Sequence, residues 1–157
     1  MKQIFLTVAL IATTFVQQSF AQDSTKTQSS PLLISYYSLK DALVSSNPAT
    51  AASSAEIFVK ALNDIDTAKI KVESRNALLS DAVALSQTKD LKVQRVKFAS
   101  LSANILNLAQ TVKLSTEPVY QQYCPMKQAS WLSNSKAIKN PYYGNMMLTC
   151  GSVKATL

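Results

Sequence analysis

The chain has 157 residues and carries 16 Lys and Arg against 9 Asp and Glu, a net charge of +7, with 47% hydrophobic residues and no histidine. That length suits one domain with a core of its own. The missing histidine excludes Ser-His-Asp and Cys-His catalysis, the commonest zinc sites and a histidine pH switch, and with only two glycines there is no Gly-rich phosphate loop.

Lys2 opens the chain with a positive charge, and Ile4 to Val16 form an apolar stretch broken only by Thr7, Thr13 and Thr14. Ser19-Phe20-Ala21 then places small residues where a signal peptidase reads. The pattern predicts a signal peptide over 1–21 and a mature chain from Gln22, working in the periplasm or secreted. The apolar stretch falls short of the roughly 20 residues a membrane span needs, so no stable insertion is expected once the signal is cut. Loss of Lys2 leaves 15 basic against 9 acidic residues, a net of +6. An exported chain with two arginines is not expected to bind nucleic acid.

Residues 22–30 (QDSTKTQSS) are polar and without period, which reads as a flexible leader. A helical domain over 31–157 follows. Ser30-Pro31 looks like an N-cap followed by proline at the first helical position. Leu32, Tyr36, Leu39 and Leu43 then share one face. Asn47-Pro48 repeats the device and starts a second helix with Ala51, Ala55, Phe58, Leu62 and Ile65 inward. A third runs from about Glu73 to Ser86 on Leu78, Ala82 and Leu85. Thr88 is the expected cap of a fourth, whose Leu91, Phe98, Leu101, Ile105, Leu108 and Val112 hold a/d-like positions over about three and a half heptads. The reading is all-α, an antiparallel four-helix bundle.

After Leu114 the pattern is lost. Residues 115–157 hold Pro118, Pro125, Pro141, both glycines, Trp131, four tyrosines and both cysteines, and no acidic residue follows Glu117. This segment reads as an irregular C-terminal flap, pinned onto the bundle by its aromatics or by a covalent link. Function is expected there, because scaffold elements hold and irregular segments bind. Beyond Glu117 it has no acidic side chain, and no nucleophile–base motif is visible, so the expected class is a non-enzyme.

The flap's chemistry is sulfur. Cys124-Pro125-Met126 is followed some twenty residues later by Met146, Met147 and Cys150. A helical turn over Asn145–Gly151 would put Met146 and Cys150 on one face. Two cysteines in an oxidising compartment pair as a rule. A Cys124–Cys150 bridge would close a loop of about 25 residues, worth roughly 3 kcal/mol of chain entropy. The same atoms are a soft donor set: Cys124, Met126, Met147 and Cys150, with Met146 as a further thioether, suit Cu(I) better than Zn(II). Trp131 could cover such a site. The two states exclude each other at any moment, since Cu(I) needs reduced sulfurs, and residue chemistry leaves both open.

The run from Val119 to Val153 resembles the end of a family of exported Gram-negative domains of unknown function, family 3347. Cys124-Pro125-Met126, Trp131-Leu132, Asn140-Pro141-Tyr142-Tyr143-Gly144, Met147 and Cys150-Gly151 carry the likeness, as do the earlier YYSLKDALVSSN and QRVKFASLS stretches. The resemblance implies a domain found alone or attached to periplasmic adaptor subunits of heavy-metal efflux systems, hence a partner of that kind or another envelope protein. It implies metal handling at Cys124, Met126, Met147 and Cys150. The alternative is a structural or interaction module stapled by the Cys124–Cys150 disulfide.

Overall fold

The structure is a computed structural model that describes residues 29–157. The signal peptide expected over 1–21 and nearly all of the leader expected over 22–30 lie outside the described residues. Four helices come first: α1 (Pro31–Val44), α2 (Pro48–Asn63), α3 (Val72–Ser86) and α4 (Leu91–Thr111). Three strands follow: β1 (Tyr120–Cys124), β2 (Ala129–Ser133) and β3 (Ser152–Thr156). Among the described residues no helix is long and apolar enough to cross a membrane.

The helical caps form as their chemistry dictates. Ser30 Oγ accepts the Leu33 N–H at 3.3 Å and Asn47 Oδ1 accepts the Thr50 N–H at 3.0 Å, each with proline next in the chain. At α4 the cap is Asp90 rather than the expected Thr88. Asp90 Oδ1 takes the N–H groups of Lys92 and Val93 at 2.8 and 3.2 Å, while Thr88 Oγ1 accepts from Asp90 itself. A carboxylate at a helix N-terminus also meets the positive end of the dipole, so it wins over the neighbouring hydroxyl.

Each helix packs on its neighbour in the chain. Leu32, Tyr36, Leu39 and Leu43 of α1 are fully buried, as are Phe58 and Leu62 of α2, Leu78 and Leu85 of α3, and Phe98, Leu101 and Ile105 of α4. Ile65, Leu91 and Val112 pack at the edge of that core. Among the described residues Lys40 is the buried charge: its stem is buried and its Nζ lies 2.9 Å from Asp41 Oδ1 and 5.7 Å above the Tyr37 ring.

The all-α expectation is corrected by the C-terminal segment. It is not an irregular flap over its whole length but a three-stranded antiparallel sheet in the order β2-β1-β3, joined by irregular turns. Tyr120 pairs with Ser133 and Cys124 with Ala129 across the first hairpin, closed by Pro125–Gln128 with Gln128 at φ 55°. Tyr123 pairs with Ser152 and Tyr120 with Thr156 on the other side, with an irregularity between Gln121 and Gln122. Each strand has five residues, too few for a period-2 signal to stand out from the surrounding prolines and tyrosines.

The sheet lies against α4, joined to the bundle by a column of rings. Tyr36 stacks on Phe98 at 5.3 Å, Phe98 meets Tyr142 at 5.9 Å, and Tyr142 meets Trp131 edge-on at 5.8 Å. The Tyr36 hydroxyl shares a hydrogen with Ser102 Oγ at 2.7 Å and accepts the Leu132 N–H at 3.2 Å, linking α1, α4 and β2 inside the core. Burial pushes the Tyr36 phenol above its ordinary range, so it stays protonated and can donate.

Removing that hydroxyl tests the link. Tyr36→Phe keeps the ring stack but leaves buried polar groups of Ser102 and Leu132 short of a partner, a cost of about 1–3 kcal/mol. Urea unfolding should show a lower midpoint with an unchanged slope. An unaltered midpoint would mean that the hydroxyl does not help hold the sheet on the bundle.

Candidate functional site

Cys124 is the last residue of β1 and points inward in step with Gln122, both of them fully buried. Cys150 comes just before β3 and is half-buried. Because β1 and β3 are hydrogen-bonded neighbours, with Tyr123 opposite Ser152, the two cysteines arrive side by side. Their Sγ atoms are 3.9 Å apart and both are free thiols. The Lys127 N–H points at Cys124 Sγ from 3.4 Å.

The loop that delivers Cys150 is held by one buried side chain. Asn140 Nδ2 donates to the Cys150 carbonyl at 2.8 Å, Asn140 Oδ1 accepts the Tyr142 N–H at 2.8 Å, and the Asn140 N–H donates to the Leu148 carbonyl at 2.8 Å. At its other end the loop passes Gly144, φ +56°, where a Cβ would lie 2.7 Å from Arg95 Nη2 and from Ser46 Oγ. Only glycine fits that close approach. Gly151, φ +150°, brings its backbone against Trp131 and the Tyr123 carbonyl, where a Cβ would sit 3.0 and 2.9 Å away. Trp131 therefore packs against the residue that follows Cys150.

Arg95 fixes the same loop to the bundle. Its Nε donates to the Pro141 carbonyl at 3.1 Å, and its Nη2 to the Leu43 carbonyl at 3.2 Å and Ser46 Oγ at 3.0 Å. One guanidinium thus caps the C-terminus of α1 and ties down the Asn-Pro-Tyr-Tyr-Gly turn. Partial burial lowers its pKa, which leaves it charged in any case.

The five sulfur residues named from the sequence are only partly brought together. Cys124 and Cys150 meet. Met147 is half-buried in the same turn as Cys150, whose N–H donates to the Met147 carbonyl at 3.0 Å. Met126 follows Cys124 in the hairpin loop with its side chain 64% exposed. Met146 is placed otherwise. The short 3-10 turn covers only Gly144–Met146, so no helical face is shared with Cys150, and Met146 stands 75% exposed in a cleft beside Arg95 and Tyr142. The turn stops at Met147, whose φ of −147° and ψ of 51° leave the helical region before Cys150 is reached.

Desolvation and the adjacent Cys124 sulfur push the Cys150 thiol up, against a backbone contact from Met126 that pulls it down. Among the described residues no three His, Cys, Asp or Glu side chains cluster, so the donors at the pair are the sulfurs themselves. The sequence assigns no role to Asn140 and Arg95, which stand only within the stretches of family likeness, nor to Gln122. Asn140 stands in an Asn-Pro step, a turn signal whose Asx geometry it adopts. Gln122 Nε2 gathers the carbonyls of Ser135, Lys136 and Ala137 at 2.8, 3.3 and 3.3 Å, and nothing local in YQQYC announces that role.

The family described as "Protein of unknown function (DUF3347)" matches residues 32–117, more than half of the chain, and the chain belongs to it. The match takes in all four helices except Pro31 at the start of α1 and ends before β1, so the cysteine pair lies beyond the matched residues. No curated protein and no solved structure matches the chain.

Unequal exposure predicts unequal reactivity. Under reducing, non-denaturing conditions iodoacetamide should label Cys150 well before buried Cys124, as followed by peptide mass spectrometry. The Cys150 rate should still be climbing at a pH where an ordinary exposed thiol has levelled off, because its raised pKa keeps it protonated for longer. Equal labelling of both residues would contradict the burial seen here.

Proposed function

We propose that the chain binds a soft monovalent metal ion of the Cu(I) type in the cell envelope, as an accessory to heavy-metal efflux or homeostasis. Cys124 and Cys150 supply thiolates; Met126 and Met147 supply thioethers. The observation that carries this reading is the 3.9 Å separation of the two Sγ atoms. Thiolate bonds of about 2.3 Å hold two sulfurs about 4 Å apart when three or four donors surround the ion, and about 4.6 Å apart when only two do. The spacing thus favours two cysteines completed by at least one further donor.

The surroundings agree with a soft ion. Thiolates and thioethers select Cu(I) over hard cations. Met126 is exposed, and an unbranched thioether adapts its reach at small cost. The Lys127 N–H beside Cys124 Sγ offers a donor that would stabilise a thiolate. The role is binding and transfer rather than catalysis, in keeping with a sequence that has no histidine. The partner class, a periplasmic efflux adaptor or another envelope protein, rests on the resemblance of the C-terminal run.

The same adjacency favours a second reading. Sulfurs already in contact need only side-chain rotation and a small backbone adjustment to reach the roughly 2.05 Å of a disulfide. The bridge would tie β1 to the start of β3 and leave a purely structural or interaction module.

Anaerobic titration with Cu(I) against a competing chelator separates the readings. The reduced protein should bind one ion with sub-micromolar affinity. Cys124→Ser or Cys150→Ser should each weaken binding at least about hundredfold, and Met126→Leu with Met147→Leu by about tenfold. Affinity should rise with pH, because each thiol gives up its proton on binding and the Cys150 proton is held more tightly than usual. No sub-micromolar binding by the reduced protein removes the metal reading. Mass spectrometry of alkylated protein from the periplasm then decides the other: both thiols free would remove the permanent disulfide.

A further inference from the structure

One flank of α4 lies at the edge of the core, where Ala99 and Leu106 are partly buried against it and Val96 stands exposed. Val96, Ala99, Ala103 and Leu106 follow each other at spacings of three and four and face a groove opposite the β1–β2 hairpin and the Tyr142–Met146 turn. Two clefts of about 470 and 440 Å³ lie one after the other along this wall, and Val96 and Lys127 line both. From Leu91 to Asn107 the helical wall runs about 24 Å at 1.5 Å per residue. The outer face of a surface helix is ordinarily polar. Here Val96 is 53% exposed and Met146 75% exposed.

The charge on this groove has one sign. Lys92, Arg95 and Lys127 line it, and no Asp or Glu does. Arg95 Nε and Nη2 already serve Pro141, Leu43 and Ser46, while neither lysine makes an ion pair among the described residues. A shallow trough with an apolar helical wall and cations from its Lys92 end to Lys127 at its middle suits a helix laid along it better than a small molecule, which needs enclosure on most sides.

We propose that this groove docks an amphipathic helix of a partner protein, apolar where it lies on Val96 and Leu106 and acidic where it meets Lys92 and Lys127. The place is informative, because Lys127, which lines both clefts, carries the N–H that points at Cys124 Sγ from 3.4 Å. A helix seated there lies beside the paired thiols. The surface stands on the groove and its charges, whether or not the sulfurs hold a metal.

The test uses the metal-free, reduced chain. A fluorescein-labelled helical peptide of about 16 residues, the length of the groove, carries leucine along one face and glutamates in its first turn. Its control replaces the glutamates with lysines. Fluorescence anisotropy at low salt should show the acidic peptide binding at least about tenfold more tightly than the control, with the difference shrinking as salt is added. Exposed Lys92→Glu and half-buried Lys127→Glu, both checked for folding by circular dichroism, should each weaken the acidic peptide about fivefold or more; Val96→Asp should do the same. Equal affinity for the two peptides, no effect of the lysine reversals, or no binding up to millimolar protein would each overturn the proposal. So would a preference for phosphatidylglycerol vesicles, lost in the lysine reversals, without peptide binding: the groove would then be a membrane-facing patch.

Discussion

The constraint on which the rest depends is the buried contact between the bundle and the C-terminal sheet, made by the rings of Tyr36, Phe98, Tyr142 and Trp131 and by the Tyr36 hydroxyl. A small three-stranded sheet is stable only with an apolar face to bury or a helix to pack on. Laid on α4 it gains the apolar area of a fully buried tryptophan and of Tyr142, together with aromatic pairs worth about 1 kcal/mol each. The sulfur pair exists because that docking holds β1, β3 and the loop between them in one arrangement.

Scarcity of glycine shapes the same region. With two glycines in the chain, no helix here ends on the usual left-handed glycine. After α1 it is Ser46 that adopts φ 54°. Both arginines are spent on helix ends: Arg95 donates to the Leu43 carbonyl of α1, and Arg75 donates to the Leu62 carbonyl of α2 at 2.8 Å and to Asn63 Oδ1 at 3.1 Å. A guanidinium with several donors can do this and still reach another element, as Arg95 does at Pro141. The two glycines are kept for Gly144 and Gly151, the two places where the cysteine loop touches backbone or an aromatic ring too closely for a Cβ.

The proposed metal site and the proposed docking groove meet at Lys127. The backbone of that residue faces Cys124 and the residue lines the groove. A binding protein that must release its ion gains from a partner held near the donors, since proximity converts transfer into a local step. Met126 is exposed and Met147 half-buried, while Cys124 is buried at the end of β1 with Cys150 beside it.

The helical half was legible because its signals are local. Ser30, Asn47 and the prolines after them cap without help, and the stripes of Leu32 to Leu43 and Leu91 to Val112 repeat often enough to define a face. The residue types also limited the chemistry: sulfur donors gathered in one segment, with no histidine and no nearby carboxylate. What the sequence could not yield was pairing at a distance. Five-residue strands carry no period, and the register of Tyr123 on Ser152 depends on the loop between them being folded by Asn140, Arg95 and Gly144. The nearness of Cys124 and Cys150, the removal of Met146 from them, and the groove along α4 are consequences of that packing, since each depends on contacts between residues far apart in the chain.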